Sequence, residues 1–494
     1  MSKERFKRLE LAKEFARDSE HSVEEIDKVL AAYFDPDNPE VGLEKFMHNL
    51  EEMAVSGREL TENDLAVIQA LNTVLADVKD ARLFNETYLG HMLTEASIPG
   101  MLGYIMGIRT GSNTVAREVS IFESELEPEA IKGLLDMVGF DRNRGDGTFT
   151  SGGSMAMQTA LMAARRKMAA AGVEPTRDHP LLVLGTPYTH YSVAKMCDII
   201  GGPSGLVQKR DVGVNQFKMD ADSLEVSLLE ARRNHDTVMA IVAIGGETET
   251  GIVDPIREIV DLGEKYGVPV IVDGAYGAPY NLSRNGKLFE GMGRAFAVTI
   301  DPHKALNTPY SNGATLFREK EDMYLGYGDR STYLGRGANL GQKRIEGSMG
   351  PGPILSTVAV MRALGSEGLT TLYDLTLDRT EHMFERVMDS EVLQNLYYPE
   401  LNLLCFTIKP EVVEKLGVGT VDDLQNLIDE TRKDLDGGIK GRGGYFFSAT
   451  ALPLPDGKAL PVFRACLMNP RTTNAIVDAS IGGLEKIIKK RIKK

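Results

Sequence analysis

The sequence predicts an α/β protein with a large, mainly parallel sheet, and three observations carry that expectation. Between about residues 125 and 320, short apolar runs alternate with helical stretches. The runs are apolar on both faces, as strands covered by helices on each side must be. Residues with chemical capacity, Asp273 and His303-Lys304, come directly after two of these runs. Ligands on parallel sheets gather at that carboxyl end of the strands.

Taken in order, residues 1 to about 80 read as helices. Ser22-Val23-Glu24-Glu25 has the form of a capping box, followed by apolar Ile26, Val29, Leu30 and Phe34. Asp35-Pro36 and Asn38-Pro39 end that helix, and Leu60-Thr61-Glu62 opens another. This region carries no evident chemistry and reads as a packing or dimerisation arm. The apolar runs follow at 181–184, 238–244, 268–272, 296–300 and 313–317, with helices between them at 155–171, 193–200 and 221–232. A second α/β piece comes after about 370, with strands at 403–408 and 461–468 and a final helix at 472–490. Glycine-rich 437–444 connects elements there. The expected division is a helical segment over 1–120, a large domain over 121–370 and a small C-terminal domain over 371–494.

Composition limits the functions. A chain of 494 residues exceeds one compact core. With 42% hydrophobic and 26% charged residues it reads as globular. A net charge of −15 argues against a nucleic-acid partner. No run approaches the roughly 20 apolar residues of a membrane span, and the start mixes both charge signs, unlike a signal peptide. Cys197, Cys405 and Cys466 lie far apart, without metal-ligand spacing. Free thiols, a cytoplasmic setting and no bound metal are the expectation.

The chemistry centres on Asp301-Pro302-His303-Lys304 and Val272-Asp273-Gly274-Ala275. A lysine amine can condense with an aldehyde. A carboxylate straight after an apolar strand needs a partner, and a protonated pyridine nitrogen is one. Pyridoxal phosphate uses both groups. Thr150-Ser151-Gly152-Gly153-Ser154, ahead of a helix, suits a phosphate, because small residues let backbone N–H groups approach an anion at the helix's positive end. A glycine turn before a helix has the same form. His190 follows a strand and can stack on a flat ring, move a proton or serve structure alone. Thr248, in Glu247-Thr248-Glu249-Thr250, can bond a ring substituent or belong to a solvated turn. Tyr333, ahead of glycines, can sit on a lid and donate a proton, or be an ordinary surface residue.

These motifs occur in an order that resembles the group II pyridoxal-phosphate amino acid decarboxylases, which include glutamate, aspartate, tyrosine and aromatic amino acid decarboxylases. The resemblance rests on Thr150 to Ser154, His190-Tyr191-Ser192, Thr248 to Ile256, Val272 to Ala275 and Asp301 to Lys304. It implies the aspartate-aminotransferase fold (fold type I), with a large seven-stranded-type sheet domain, and a homodimer with active sites at the interface. It implies that Lys304 is the Schiff-base lysine, Asp273 the partner of the ring nitrogen, and His190 the residue stacked on the ring. Gly153 and Ser154 match the phosphate binders, Thr248 and Ala275 positions near the ring, and His303 the histidine beside the lysine. Tyr333 matches the tyrosine that returns a proton to the substrate carbon. Tyr88 to Met92, with Tyr88 and His91, resembles the segment that leads substrate in. The runs 333–341 and 345–348, the latter ending at Ser348, are similar to a bacterial aspartate or glutamate branch. That branch has arginine where this chain has Met349, with Arg336, Lys343 and Arg344 nearby as other cations. The implied reaction is α-decarboxylation of an amino acid, aspartate or glutamate first. An aromatic substrate or carbon–carbon cleavage or aldehyde synthesis on the same fold is the alternative, and a non-catalytic scaffold the remote one.

Overall fold

Where the chain alternates apolar runs with helices, it folds as layers. The computed structural model describes residues 12–13, 22–26, 84–327, 341, 344–437, 444–453 and 458–493. Two compact units divide the described chain: Ala96–Thr380 with Tyr397–Leu404, and Glu381–Leu396 and Cys405–Lys494 with the described residues before Ala96.

The first unit opens with helices α1 (Ile98–Thr110) and α2 (Ile121–Val138). Then come strand β1 (Asp146–Thr150), helix α3 (Gly153–Ala170), β2 (Leu181–Gly185), α4 (Tyr191–Gly201) and β3 (Val207–Asp211). A small ladder of β4 (Val214–Asn215) and β5 (Lys218–Met219) leads to α5 (Ala221–Arg233), β6 (Thr237–Ile244), α6 (Ile256–Tyr266) and β7 (Val270–Asp273). Strands β8 (Ala297–Ile300) and β9 (Gly313–Phe317) complete a seven-stranded sheet of order β1-β9-β8-β7-β6-β2-β3. Only β9 runs against its neighbours. The sequence-based expectation of a mainly parallel sheet holds, and its five strands lie within two residues of their observed ends.

Two strands escaped that reading, for opposite reasons. At the sheet edge, β3 reads Val-Gln-Lys-Arg-Asp, with Gln208, Arg210 and Asp211 exposed, so it shows no apolar run. Strand β1 is buried but reads Asp-Gly-Thr-Phe-Thr, with one large apolar residue. Helix α3 lies close on the sheet because it turns Ala160, Ala163 and Ala164 toward Leu181, Val183, Met239, Val242 and Ile271 in one buried cluster. Small side chains permit that approach.

The second unit holds a four-stranded sheet of order β10-β11-β13-β12, from β10 (Leu393–Asn395), β11 (Leu403–Ile408), β12 (Ser448–Pro453) and β13 (Ala459–Cys466). Its long C-terminal helix spans Asn474–Ile492, with Thr473 as N-cap. The capping box at Ser22 is formed: Ser22 N–H donates to Glu25 Oε2 at 2.7 Å, and Glu25 N–H to Ser22 Oγ at 3.3 Å. The other helical signals over 29–75 lie outside the described residues. The three cysteines are buried, and burial pushes the Cys197 thiol up to about 12. No described helix is long and apolar enough to cross a membrane.

Past the carboxyl ends of β6 and β7 the backbones nearly touch. A Cβ on Gly277 would lie 2.1 Å from the Gly245 carbonyl oxygen. The Gly277→Ala protein is therefore expected to lose at least the ~1–3 kcal/mol typical of an overpacked site. A lowered thermal unfolding midpoint checks this; an unchanged midpoint contradicts it.

Candidate active site

The parallel pairing of β7 with β8 sets Asp273 opposite Thr299, and β6 sets Ile244 on its other side. Asp273 thus ends a buried strand with its carboxylate on the sheet's ligand-binding rim. The Thr299 hydroxyl donates to Oδ1 at 3.0 Å, and the Ala275 N–H reaches the same oxygen at 3.4 Å. Among the described residues no donor reaches Oδ2.

One strand over, the chain leaves β8 in a tight turn. Asp301 N–H donates to the Ala275 carbonyl at 3.0 Å, and Lys304 N–H to the Asp301 carbonyl at 2.9 Å. This brings Lys304 Nζ to 3.1 Å from Asp301 Oδ2. Asp301 is only 2% exposed, and among the described residues its buried Oδ1 has no hydrogen-bond partner. Burial raises its pKa and the Lys304 charge opposes that rise.

His303, buried beside Lys304, accepts the Asn312 N–H on Nδ1 at 2.9 Å, which leaves the proton on Nε2. Burial, seconded by the Lys304 charge, pushes it down to about 3. The Asn312 amide is in turn held by Thr308 Oγ1, the Pro353 carbonyl and Thr357 Oγ1 at 2.9 to 3.0 Å. Tyr310 stacks on the His303 ring at 3.9 Å between centroids.

The cradle forms where β1 gives way to α3. Gly152 takes φ 148°, and a Cβ on Gly153 would lie 2.8 Å from Asp301 Oδ2 and 3.3 Å from Ala275 Cβ. No side chain fits there. Ser154 is in the first turn of the 18-residue helix α3, whose amino end favours anions. Ser151 donates from N–H and Oγ to Glu346 Oε1 at 2.9 and 3.0 Å, a link between distant segments that no sequence pattern announced.

His190 caps α4: Ser192 N–H donates to its Nδ1 at 3.3 Å, and Ser192 Oγ lies 2.7 Å from the same nitrogen. Burial lowers its pKa, Asp273 opposes, and the Lys304 charge lowers it further. The ring is kept neutral and flat. Thr248 is half-buried in the loop after β6. That loop is not a solvated turn, because buried Glu247 Oε2 accepts the Glu249 and Thr250 N–H groups and the Thr250 hydroxyl at 2.7 to 2.9 Å.

Asp273, Ala275, Gly153, Ser154, His190, Thr248, His303 and Lys304 therefore all follow carboxyl ends of strands in one unit. Tyr88 and His91 belong to the other unit. There Tyr88 stacks on Phe446 at 4.7 Å, with His91 tilted against the same ring at 5.9 Å. Tyr333, Arg336 and Lys343 lie outside the described residues. Ser348 is exposed, and the carbonyl of half-buried Met349 accepts the Thr114 N–H at 2.9 Å. Arg344, named as a possible replacement clamp, is committed elsewhere: it is buried in an ion pair with Glu127 and bonds Thr114. Asp301 was passed over in the sequence, although it too follows an apolar strand directly, the signal that singled out Asp273.

With this geometry in hand, comparison with known proteins is specific. Residues 57–409 match the pyridoxal-dependent decarboxylase conserved domain. The chain is 28% identical over 356 residues to aspartate 1-decarboxylase of Aliivibrio fischeri, spanning 67% of this chain and 64% of that relative's length. It is 26% identical over 399 residues to L-2,4-diaminobutyrate decarboxylase of Rhizobium meliloti, spanning 79% of this chain and 75% of the other. The structure of Oryza sativa TDC with PLP and tryptamine shares the fold at a TM-score of 0.76 and 16% identity, covering 92% and 99% of the two chains.

Two outcomes follow from the site's electrostatics. An unfolded chain protonates histidine near 6.5, whereas His303 in the folded cofactor-free protein does so only near 3. Folding stability from this group is therefore full above about pH 6.5 and lost as pH falls toward 3. Histidine NMR of the cofactor-free protein should show one imidazole, absent in His303→Gln, that stays neutral down to about pH 4. Arg344→Met leaves Glu127 buried without its cation and should cost about 3–5 kcal/mol, while Arg344→Met with Glu127→Leu should recover most of it. Thermal unfolding of the three proteins measures the difference.

Proposed function

Because the chain belongs to the pyridoxal-dependent decarboxylase family, we propose that it removes the α-carboxylate of a small L-amino acid and releases CO2 and the amine. The observation that carries this reading is the lysine at the β8 turn, 3.1 Å from Asp301 Oδ2, the same oxygen against which Gly153 of the cradle closes, with Asp273 ending the neighbouring strand β7. The residues fit pyridoxal phosphate. Gly153 admits no side chain, α3 offers its amino end to a phosphate, and Asp273 keeps one oxygen for a ring N–H. When bound, that cofactor supplies a ring that accepts the electron pair left by the departing carboxylate. Lys304 anchors it and Asp273 holds the ring nitrogen's proton. His190 would face the ring as a neutral imidazole with its proton on Nε2. Thr248 and Ala275 border the ring, and His303 stays uncharged beside the lysine. Tyr333 returns a proton to the substrate's α-carbon, a role that rests on the family resemblance, as do substrate-binding roles for Tyr88, His91 and Ser348.

For the substrate, aspartate or glutamate is supported by likeness to the Aliivibrio fischeri aspartate 1-decarboxylase and by the 345–348 motif. A specific observation favours a second reading, an amino acid without a side-chain carboxylate: Met349 replaces an arginine and Arg344 is consumed by Glu127. A homodimer is supported by the exposed apolar side chains of α1 and α2, where Leu102, Met106, Ile108, Ile121 and Phe122 are bared. Three buried cysteines suit a reducing, cytoplasmic setting.

Supplied with pyridoxal phosphate, the protein should release CO2 and an equimolar amine from one class of amino acid in a screen of the twenty, DOPA and diaminobutyrate. Lys304→Ala should reduce release to background, and Tyr333→Phe should lower it by about a hundredfold or more. Aldehyde in place of amine, or full turnover by Lys304→Ala, would overturn the reading.

A further inference from the structure

Beside the Asp273 rim lies a second carboxyl, Asp301, which the proposed function leaves without a task. It is nearly fully buried, and its surroundings are meagre. Oδ2 lies 3.1 Å from Lys304 Nζ and 3.6 Å from His303 Nε2. Among the described residues Oδ1 has no partner, and the space around it is closed by glycine: a Cβ on Gly313 would come within 2.8 Å of it. The Gly153 N–H is the backbone donor that turns toward this carboxyl.

We infer that Asp301 is the base that takes a proton from the Lys304 ammonium when the cofactor is loaded, and that it then stays an uncharged acid beneath the phosphate cradle. This rests on the assignment of Lys304 as the lysine that bonds the cofactor. The charge count supports it. Asp301 is set against Lys304, while His303 and His190 are held neutral. Asp273 is served instead by a hydroxyl and an N–H. Asp301 loses its counter-ion once Lys304 is committed, and a phosphate near Gly153 adds like charge beside it. Burial raises its pKa in the same direction.

The step balances. An N–H bond of Lys304 breaks as an O–H bond forms on Oδ2. The amine's freed electron pair bonds the aldehyde carbon, and the aldehyde oxygen leaves as water with the amine's other two hydrogens. A lysine needs its lone pair free before it can attack, and a carboxylate 3.1 Å away is within hydrogen-bond reach of that proton.

Asp301→Asn tests this, because an amide mimics the neutral acid's shape but cannot act as the base. Cofactor loading is followed by the absorbance of bound pyridoxal phosphate, with no substrate present, between pH 6 and 9. The variant should load at least about tenfold more slowly at pH 7, with a rate that climbs about tenfold per pH unit as solvent takes the proton instead. Its dissociation constant at pH 9 should stay within about threefold of the parent. Loading at the parent's rate and pH profile, or affinity lost equally at every pH, would overturn the inference. Infrared difference spectra of the unaltered protein give a check independent of any variant: loading should produce a protonated-carboxyl band, and its absence would also overturn the inference. Borohydride reduction followed by peptide mapping separates the two claims. Label away from Lys304 defeats the proposed function, whereas label on Lys304 with an unchanged pH profile defeats only the role of Asp301.

Discussion

The parallel register of β7 against β8 is the constraint on which the site depends. It sets Asp273 opposite Thr299, so β8's exit turn, in which Lys304 pairs with Asp301, leaves from the strand next to Asp273. A shift of one residue would turn Asp273 into the opposite helix layer and break the Thr299 bond. The rest of the unit protects this register. Strands β6, β7 and β8 are buried along almost their whole length, and glycines at 245 and 277 let the loops beyond them close up.

Around that register the protein arranges one cation, two carboxyl groups and two neutral imidazoles. Each imidazole has its Nδ1 occupied, His190 by Ser192 and His303 by the Asn312 backbone, so both present the same tautomer toward the site. Burial keeps them uncharged, and Lys304 is set against Asp301. This concentration of titratable groups in a dry place is what a reaction that moves protons needs.

A different part of the unit ties the site's rim to the helices. The chain from Arg344 to Gly350 joins the site's rim through Glu346, which Ser151 bonds, and joins the helical layer through Arg344 and Glu127. An arginine so placed serves stability, and the segment's open positions, Ser348 and Met349, are uncharged.

By itself the sequence determined the α/β class, five strands of the large sheet, the capping box at Ser22, and the candidate groups Lys304, Asp273, His190, His303, Gly153 and Ser154. These are legible because a buried parallel strand must be apolar on both faces, and any polar group directly after one stands out. Tertiary structure alone decided the rest. Strand β1 and edge strand β3 have no apolar run to read, since one is built of small residues and the other faces solvent. Arg344 resembles a free cation until the fold brings Glu127 to it. Glu247 resembles a solvated turn residue until its loop closes over it. Asp301 resembles part of a motif until its oxygens are found beneath two glycines, facing the one lysine. In each case the partner lies far along the chain, and its position is set by packing, which local pattern does not encode.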